Sequence, residues 1–191
     1  MQIEYEATFI DINKDDVRAR LRAAGANLVY PEVLQKRVTF NLPTGHEIKG
    51  GWLRVRDEGD KITMSLKAVD GDKISDQKEL CLKVDSLEAG VALLEGIGCQ
   101  KKAYQESRRE LWQLDGADIT IDEWPFLESF VEVEGASEDN VKAVSKKIGF
   151  DYGQALFCDA GVLYNKKYGI TLDVIYNQTP RIVFGEANPF L

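Results

Sequence analysis

The sequence predicts an α+β fold: an antiparallel sheet of eight strands, closed or nearly closed into a barrel, with helices flanking it. Three observations carry this. Much of the chain alternates apolar and polar residues with a period of two, as half-buried strands do. The alternating segments follow one another through short turns such as Glu58-Gly59-Asp60, Asp70-Gly71-Asp72 and Asp115-Gly116, which join antiparallel neighbours. Three segments instead show a helical period, each opened by a capping residue and closed near a glycine. Eight strands suffice to close a sheet on itself.

The elements follow in order. Residues 2–10 place Ile3, Tyr5, Ala7 and Phe9 on one face and Glu4, Glu6 and Thr8 on the other, which is a strand. Asn13 caps a helix over about 14–24, with Val17 and Leu21 on one face and Gly25 at its stop. Strands are expected at 33–41, 52–57, 61–68 and 75–84. Ser86 caps a helix carrying Leu87, Val91 and Leu94 that stops near Gly98. Strands at about 103–114, 117–123 and 129–134 come next. Ser137 caps the third helix, with Val141, Val144 and Ile148, ended by Gly149. Residues 154–168 read as short helical pieces, and the tail beyond Thr179-Pro180 carries no pattern.

Composition bounds the function. A length of 191 residues suits one domain over 1–191, with a core of about 1–168 and a C-terminal extension over 169–191. Hydrophobic residues at 44% and charged residues at 29% argue against a disordered chain. Acidic residues outnumber basic ones 32 to 24, without a basic tail, so a nucleic-acid duplex is a poor partner. A small anion in a local basic pocket remains compatible with that balance. The three cysteines, Cys81, Cys99 and Cys158, are far apart and suit a reducing compartment. The first residues do not resemble a signal peptide, and no apolar run is long enough to span a bilayer, so a cytoplasmic protein without membrane contact is expected. The one histidine, His46, reads as a solvated loop residue, and Trp52, Trp112 and Trp124 read as core or rim residues.

The polar faces of the strands sort charge by sign. Glu4 and Glu6 lie on the first strand, and Glu132 and Glu134 on the last, with Asp122 on the strand beside it. Arg54 and Arg56 share one face of another strand, and Lys67 sits on its neighbour with Thr63 and Ser65. Two carboxylates at i and i+2 on one strand face repel unless a cation lies between them, and Mg²⁺ or Mn²⁺ prefers such oxygen ligands. Arginine grips phosphate through parallel donors and lysine adds a point charge. Carboxylates for a metal and cations for phosphate together make a polyphosphate site, although each pair taken singly also fits a solvated sheet face.

These residues resemble the motifs of the CYTH, or triphosphate tunnel metalloenzyme, superfamily. Glu4-Tyr5-Glu6-Ala7-Thr8 is similar to its E-x-E-x-K, and Leu53-Arg54-Val55-Arg56 to L-R-x-R. Thr63 to Lys67, Lys78-Glu79, Arg109 to Trp112, Asp122 and Phe130-Val131-Glu132-Val133-Glu134 follow in the family's order, over residues 3 to about 168. The resemblance implies an eight-stranded tunnel that admits a small-molecule triphosphate such as tripolyphosphate, ATP or thiamine triphosphate. It implies that Glu4, Glu6, Asp122, Glu132 and Glu134 hold Mg²⁺ or Mn²⁺. Arg37, Arg54, Arg56, Lys67, Lys78 and Arg109 would hold phosphates, with Lys36 competing for the place of Arg37. Lys166 or Lys167 would close the tunnel from the C-terminal side. Glu4, Glu6, Lys67 and Arg109 would be the catalytic set, in a metal-dependent triphosphatase, with a class IV adenylate cyclase as the alternative and a homodimer as the family's assembly. Thr8 stands where the family motif has lysine, so a binding module without turnover is a third reading.

Overall fold

A computed structural model describes residues 1–191. The strands are β1 (Gln2–Ile3), β2 (Tyr5–Phe9), β3 (Asn27–Asn41), β4 (Gly51–Asp57), β5 (Ile62–Val69), β6 (Gln77–Val84), β7 (Gln100–Leu114), β8 (Ala117–Glu123), β9 (Phe130–Gly135) and β10 (Arg181–Ile182). The helices are α1 (Lys14–Ala23), α2 (Leu87–Gly96), α3 (Glu138–Lys147) and α4 (Ala160–Tyr168). Sheet order is β1-β6-β5-β4-β3-β7-β8-β9-β2, and β10 joins β7 in parallel.

The expected barrel is present, with nine strand segments around its wall where the sequence predicts eight strands. The difference lies in the first strand, which is split at Glu4. Its start pairs with β6 (Ile3 opposite Lys78), and its continuation pairs with β9 (Glu6 opposite Glu134). At the break, the Glu4 N–H donates to the Gln77 carbonyl at 3.0 Å, and Gln77 Nε2 donates to the Glu6 carbonyl at 2.8 Å. One segment of chain therefore satisfies both edges of the sheet. β3 and β7 run longer than expected because they pair over their whole lengths, with irregular register between them.

Helix boundaries follow the capping chemistry. Asn13 Oδ1 accepts from the Asp15 and Asp16 N–H groups at 2.9 and 3.1 Å, and Ser86 and Ser137 cap α2 and α3 through their Oγ atoms. Asp115 and Gly116 both take positive φ (49° and 77°), which matches the twist of the β7–β8 hairpin. The largest apolar cluster lies outside the barrel. There the outward residues Ile119, Ile121, Val131 and Val133 meet Val17 and Leu21 of α1 and Val141, Val144 and Ile148 of α3. Each such side chain contributes about 1.5–3 kcal/mol on burial. Gly90 lets α2 approach β4: a Cβ there would lie 2.8 Å from Val55 Cγ1.

The C-terminal region, from α4 to the patternless tail, is ordered against the barrel. Leu163, Tyr164, Ile175 and Ile182 form a second cluster with Trp124 and Phe130. Tyr164 and Tyr168 donate to the carbonyls of Pro125 and Phe126 at 2.7 and 2.6 Å, and the Phe190 ring packs on both tyrosines. No helix is long and apolar enough to cross a membrane.

Candidate active site

With apolar residues turned outward to the helices, the inward face is left to polar ones. They line a cavity of about 650 Å³. One wall is acidic: Glu4 and Glu6 come from the split first strand, Glu132 and Glu134 from β9, and Glu79 from β6. The facing wall is basic: Arg37 from β3, Arg54 and Arg56 from β4, Lys67 from β5 and Arg109 from β7.

Only some of these charges neutralise one another. Lys67 Nζ lies 2.8 Å from Glu4 Oε2, and Arg54 Nη2 lies 3.1 Å from Glu79 Oε1. Arg109 donates through Nε to Asp122 Oδ1 at 2.7 Å and through Nη2 to Glu132. Arg37 lies over the Trp124 ring, 4.3 Å from its centroid, and donates to Ser107. Arg56 is drawn to Glu58 at 2.8 Å.

The remaining imbalance shows in the ionisation of the acidic wall. Burial raises Glu4 to about 7 against the pull of Lys67. Burial and the neighbouring Glu132 push Glu6 well above the carboxylate range, and burial raises Glu132 and Glu134 as well. Burial also works to raise Glu79, but a hydrogen bond from Glu4 and the Lys67 and Arg54 charges outweigh it and hold Glu79 below that range. On the basic wall, burial first and mutual repulsion second lower Arg54 to about 10 and lower Arg37 as well. The Nε atoms of Arg37 and Arg54 are buried without a partner, as are Gln35 Nε2 and Ser65 Oγ. Buried donors in native proteins are normally satisfied, so this set is suited to an anionic ligand.

Four of the residues expected at the site fall elsewhere. Lys78 is exposed outside the barrel: the short 3₁₀ turn Ile74–Asp76 sets β6 so that Gln77 and Glu79 face inward instead. Asp122 is fully buried and off the cavity wall, accepting hydrogen bonds from Arg109 Nε and Thr120 Oγ1. Its carboxylate is engaged by Arg109 and Thr120. Lys166 and Lys167 lie on the outer side of α4, around a separate hollow of about 240 Å³. Lys36 is exposed, which leaves the place to Arg37.

Sequence reasoning also misses inward residues. Glu79 is legible from its parity with Gln77. Lys102, Asp159 and Tyr176 carry no signal, because a bulge and an irregular tail bring them to the cavity. Thr8 is buried and pairs with Glu132 across β2–β9. The Arg109 guanidinium binds that same Glu132, so a positive charge stands close to where the motif's lysine is replaced.

The acidic wall matches the donor chemistry of a hard divalent cation, yet no three ligating side chains converge into a preformed cage. Mg²⁺ is commonly bound by one or two carboxylates plus substrate phosphates, so this open arrangement fits it.

A model of the CYTH domain matches residues 2–156. The chain belongs to the CYTH family. No curated protein matches it in sequence. Among solved structures, one described as a candidate adenylate cyclase from Vibrio parahaemolyticus superposes with a TM-score of 0.73 at 12% identity, covering 86% of this chain and 98% of that one. The PH1819 protein of Pyrococcus horikoshii OT3 gives a TM-score of 0.68 at 18% identity, over 86% and 99%. A Hippeastrum protein, named as a candidate adenylyl cyclase with a dominant triphosphatase activity, gives 0.56 at 17% identity, over 93% and 100%. At these identities the likeness is one of fold, and it agrees with the CYTH assignment.

Proposed function

We propose that this CYTH protein is a divalent-metal-dependent triphosphatase that takes a small-molecule triphosphate into its barrel. The observation that carries the reading is the pairing of an acidic and a basic wall in one cavity, each with unmet demand for the opposite charge. The raised carboxylates of Glu4, Glu6, Glu132 and Glu134 gain from a cation, and the unpartnered Nε atoms of Arg37 and Arg54 gain from an anion. A metal–triphosphate complex supplies both. The Hippeastrum protein, named as a candidate adenylyl cyclase but described as having a dominant triphosphatase activity, supports the choice of reaction.

In this reading Arg37, Arg54, Arg56, Lys67 and Arg109 cradle the phosphate chain, and their charge stabilises the negative charge that builds on the leaving oxygen. Glu4, Glu6, Glu132 and Glu134 hold Mg²⁺ or Mn²⁺, which when bound neutralises phosphate oxygens and polarises a water. Carboxylate oxygens of the same wall accept hydrogen bonds from the attacking water and orient it. Asp122 keeps the Arg109 fork aimed at the phosphates.

The test is product analysis with tripolyphosphate, ATP and thiamine triphosphate, with Mg²⁺, Mn²⁺ or chelator. Metal-dependent release of orthophosphate is expected. Cyclic AMP with pyrophosphate would replace the reading by cyclisation, which the Vibrio relative's description favours. Binding without any product would leave a triphosphate-binding module.

A further inference from the structure

The five cations of the basic wall are not held alike. Arg54 touches Glu79, Arg56 touches Glu58, Lys67 touches Glu4, and Arg109 touches Asp122 and Glu132. Arg37 touches no carboxylate. It is 4% exposed, and burial and the Arg56, Arg54 and Arg109 charges all oppose its ionisation. A buried charge without a counter-charge is costly unless other groups solvate it. The groups that do so here are neutral. Gln35 Oε1 accepts from Arg37 Nη2 at 3.4 Å, and Ser107 Oγ accepts from the same nitrogen. The Trp124 ring lies under the guanidinium, with its centroid 4.3 Å from Cζ. Arg37 Nε keeps no partner. Of the five cations, Arg37 therefore offers an anion a charge that no carboxylate offsets.

Trp124 follows β8 directly, and its ring is braced by a segment beyond the family match, which ends at residue 156. The Tyr164 ring of α4 meets Trp124 edge-on, with centroids 6.5 Å apart and planes at 75°. The Tyr164 hydroxyl donates to the carbonyl of Pro125, the next residue, at 2.7 Å, and the Phe190 ring backs Tyr164 at 4.7 Å. Trp124 and Tyr164 are both buried, so packing restricts both rings. Arg37, Trp124 and Tyr164 line the cavity together, on the side where the wall from Val162 to Tyr176 closes it.

We propose that Trp124 is a positioning residue for phosphate binding: its ring face, braced by Tyr164, holds the Arg37 guanidinium at the cavity wall. The inference rests on the triphosphate reading of that wall. An aromatic face attracts a cation without neutralising it, as a carboxylate in the same place would. The part of the chain outside the family pattern thereby acts on the phosphate site through Trp124 and Arg37.

Calorimetric titration with tripolyphosphate in the presence of Mg²⁺ tests this. Arg37→Gln and Trp124→Leu should each weaken binding about tenfold, whereas Trp124→Phe, which keeps a ring face, should stay within about threefold of the parent. Combining Arg37→Gln with Trp124→Leu should weaken binding no more than about twofold beyond Arg37→Gln alone, because the ring acts through the guanidinium. A multiply fluorinated tryptophan in place of every tryptophan keeps the shape and depletes the ring face, so it reads the same contact even where Trp124→Leu does not fold. It should weaken binding severalfold in the parent and leave Trp124→Phe unchanged. Unchanged binding in Arg37→Gln, in folded Trp124→Leu or in the fluorinated parent would overturn the positioning role while leaving the triphosphate reading in place. Losses that add in the combined variant would do the same. Failure of the parent to bind tripolyphosphate would overturn that reading, and the positioning role with it.

Discussion

The two walls of the cavity solve the problem of buried charge in opposite ways. On the acidic wall, burial drives protons onto the carboxyl groups, and Glu4 rises to about 7. On the basic wall the guanidinium groups stay charged even where burial lowers them, as at Arg54 at about 10, and they leave donors unpaired. Carboxylates can shed their charge near neutral pH and arginines cannot. The comparison teaches that the barrel by itself relies on protonation on one side and tolerates frustration on the other. A ligand that brings both a cation and an anion relieves both.

The contrast breaks most severely at Arg109, which joins the walls. Arg109→Ala strips Asp122, which has no exposed surface, of its charged partner. Urea unfolding should show a loss of about 3–5 kcal/mol, with triphosphate hydrolysis lost as well. The next largest effect is expected from Glu4→Gln combined with Glu6→Gln. Metal-stimulated hydrolysis should drop by about 10²–10³, while a melting curve at neutral pH stays as high as that of the parent or higher. Full metal-stimulated activity in this variant would remove the acidic wall from the mechanism.

pH separates the walls without mutation. A carboxyl with a raised folded pKa stabilises the fold below its unfolded value, near 4.5, and that stability is lost as pH rises through the folded value. The metal-free protein should therefore lose stability between about pH 4.5 and 7 on account of Glu4, with Glu6, Glu132 and Glu134 adding in the same direction. Glu79, held low, contributes the opposite dependence, and does so at more acid pH. Saturating Mg²⁺ should flatten the loss in thermal melts; a loss that persists at saturation would count against a cation on these carboxylates. On the basic wall, Arg54→Ala should weaken triphosphate binding about tenfold or more, read by calorimetry. The smallest effects belong to Lys78→Ala and Lys166→Ala, outside the cavity, where affinity should change less than about twofold and stability by less than about 0.5 kcal/mol.

Strand parity makes most of the site legible in the sequence. Glu4 and Glu6, Arg54 and Arg56, and Glu132 and Glu134 each share a face by their spacing alone, and every one of them lines the cavity. Parity gives a face but not a depth. Asp122 shares the inward face with Thr120 and still lies beneath Arg109, off the wall. The motif puts Lys78 in the site against the parity of its own strand, and parity wins. Lys102 escapes because one inserted residue resets the alternation of β7. The wall from Val162 to Tyr176 escapes because an irregular segment encodes its position in tertiary contacts. The apolar sides of the three early helices, by contrast, are plain in Val17, Leu21, Leu94, Val141 and Val144, since helical period and capping are local.

The split first strand also bears on how the chain reaches this state. Residues 2–3 wait for β6, and residues 5–9 wait for a partner that ends at residue 135. Pairings so distant in sequence are slow to form, because a long loop must be closed before they repay it. During synthesis at about 5–20 residues per second, β2 would remain without its partner for on the order of ten seconds. For that interval, the strand carrying Glu6 is an open edge emerging from the ribosome, and a trigger for sticking to other chains.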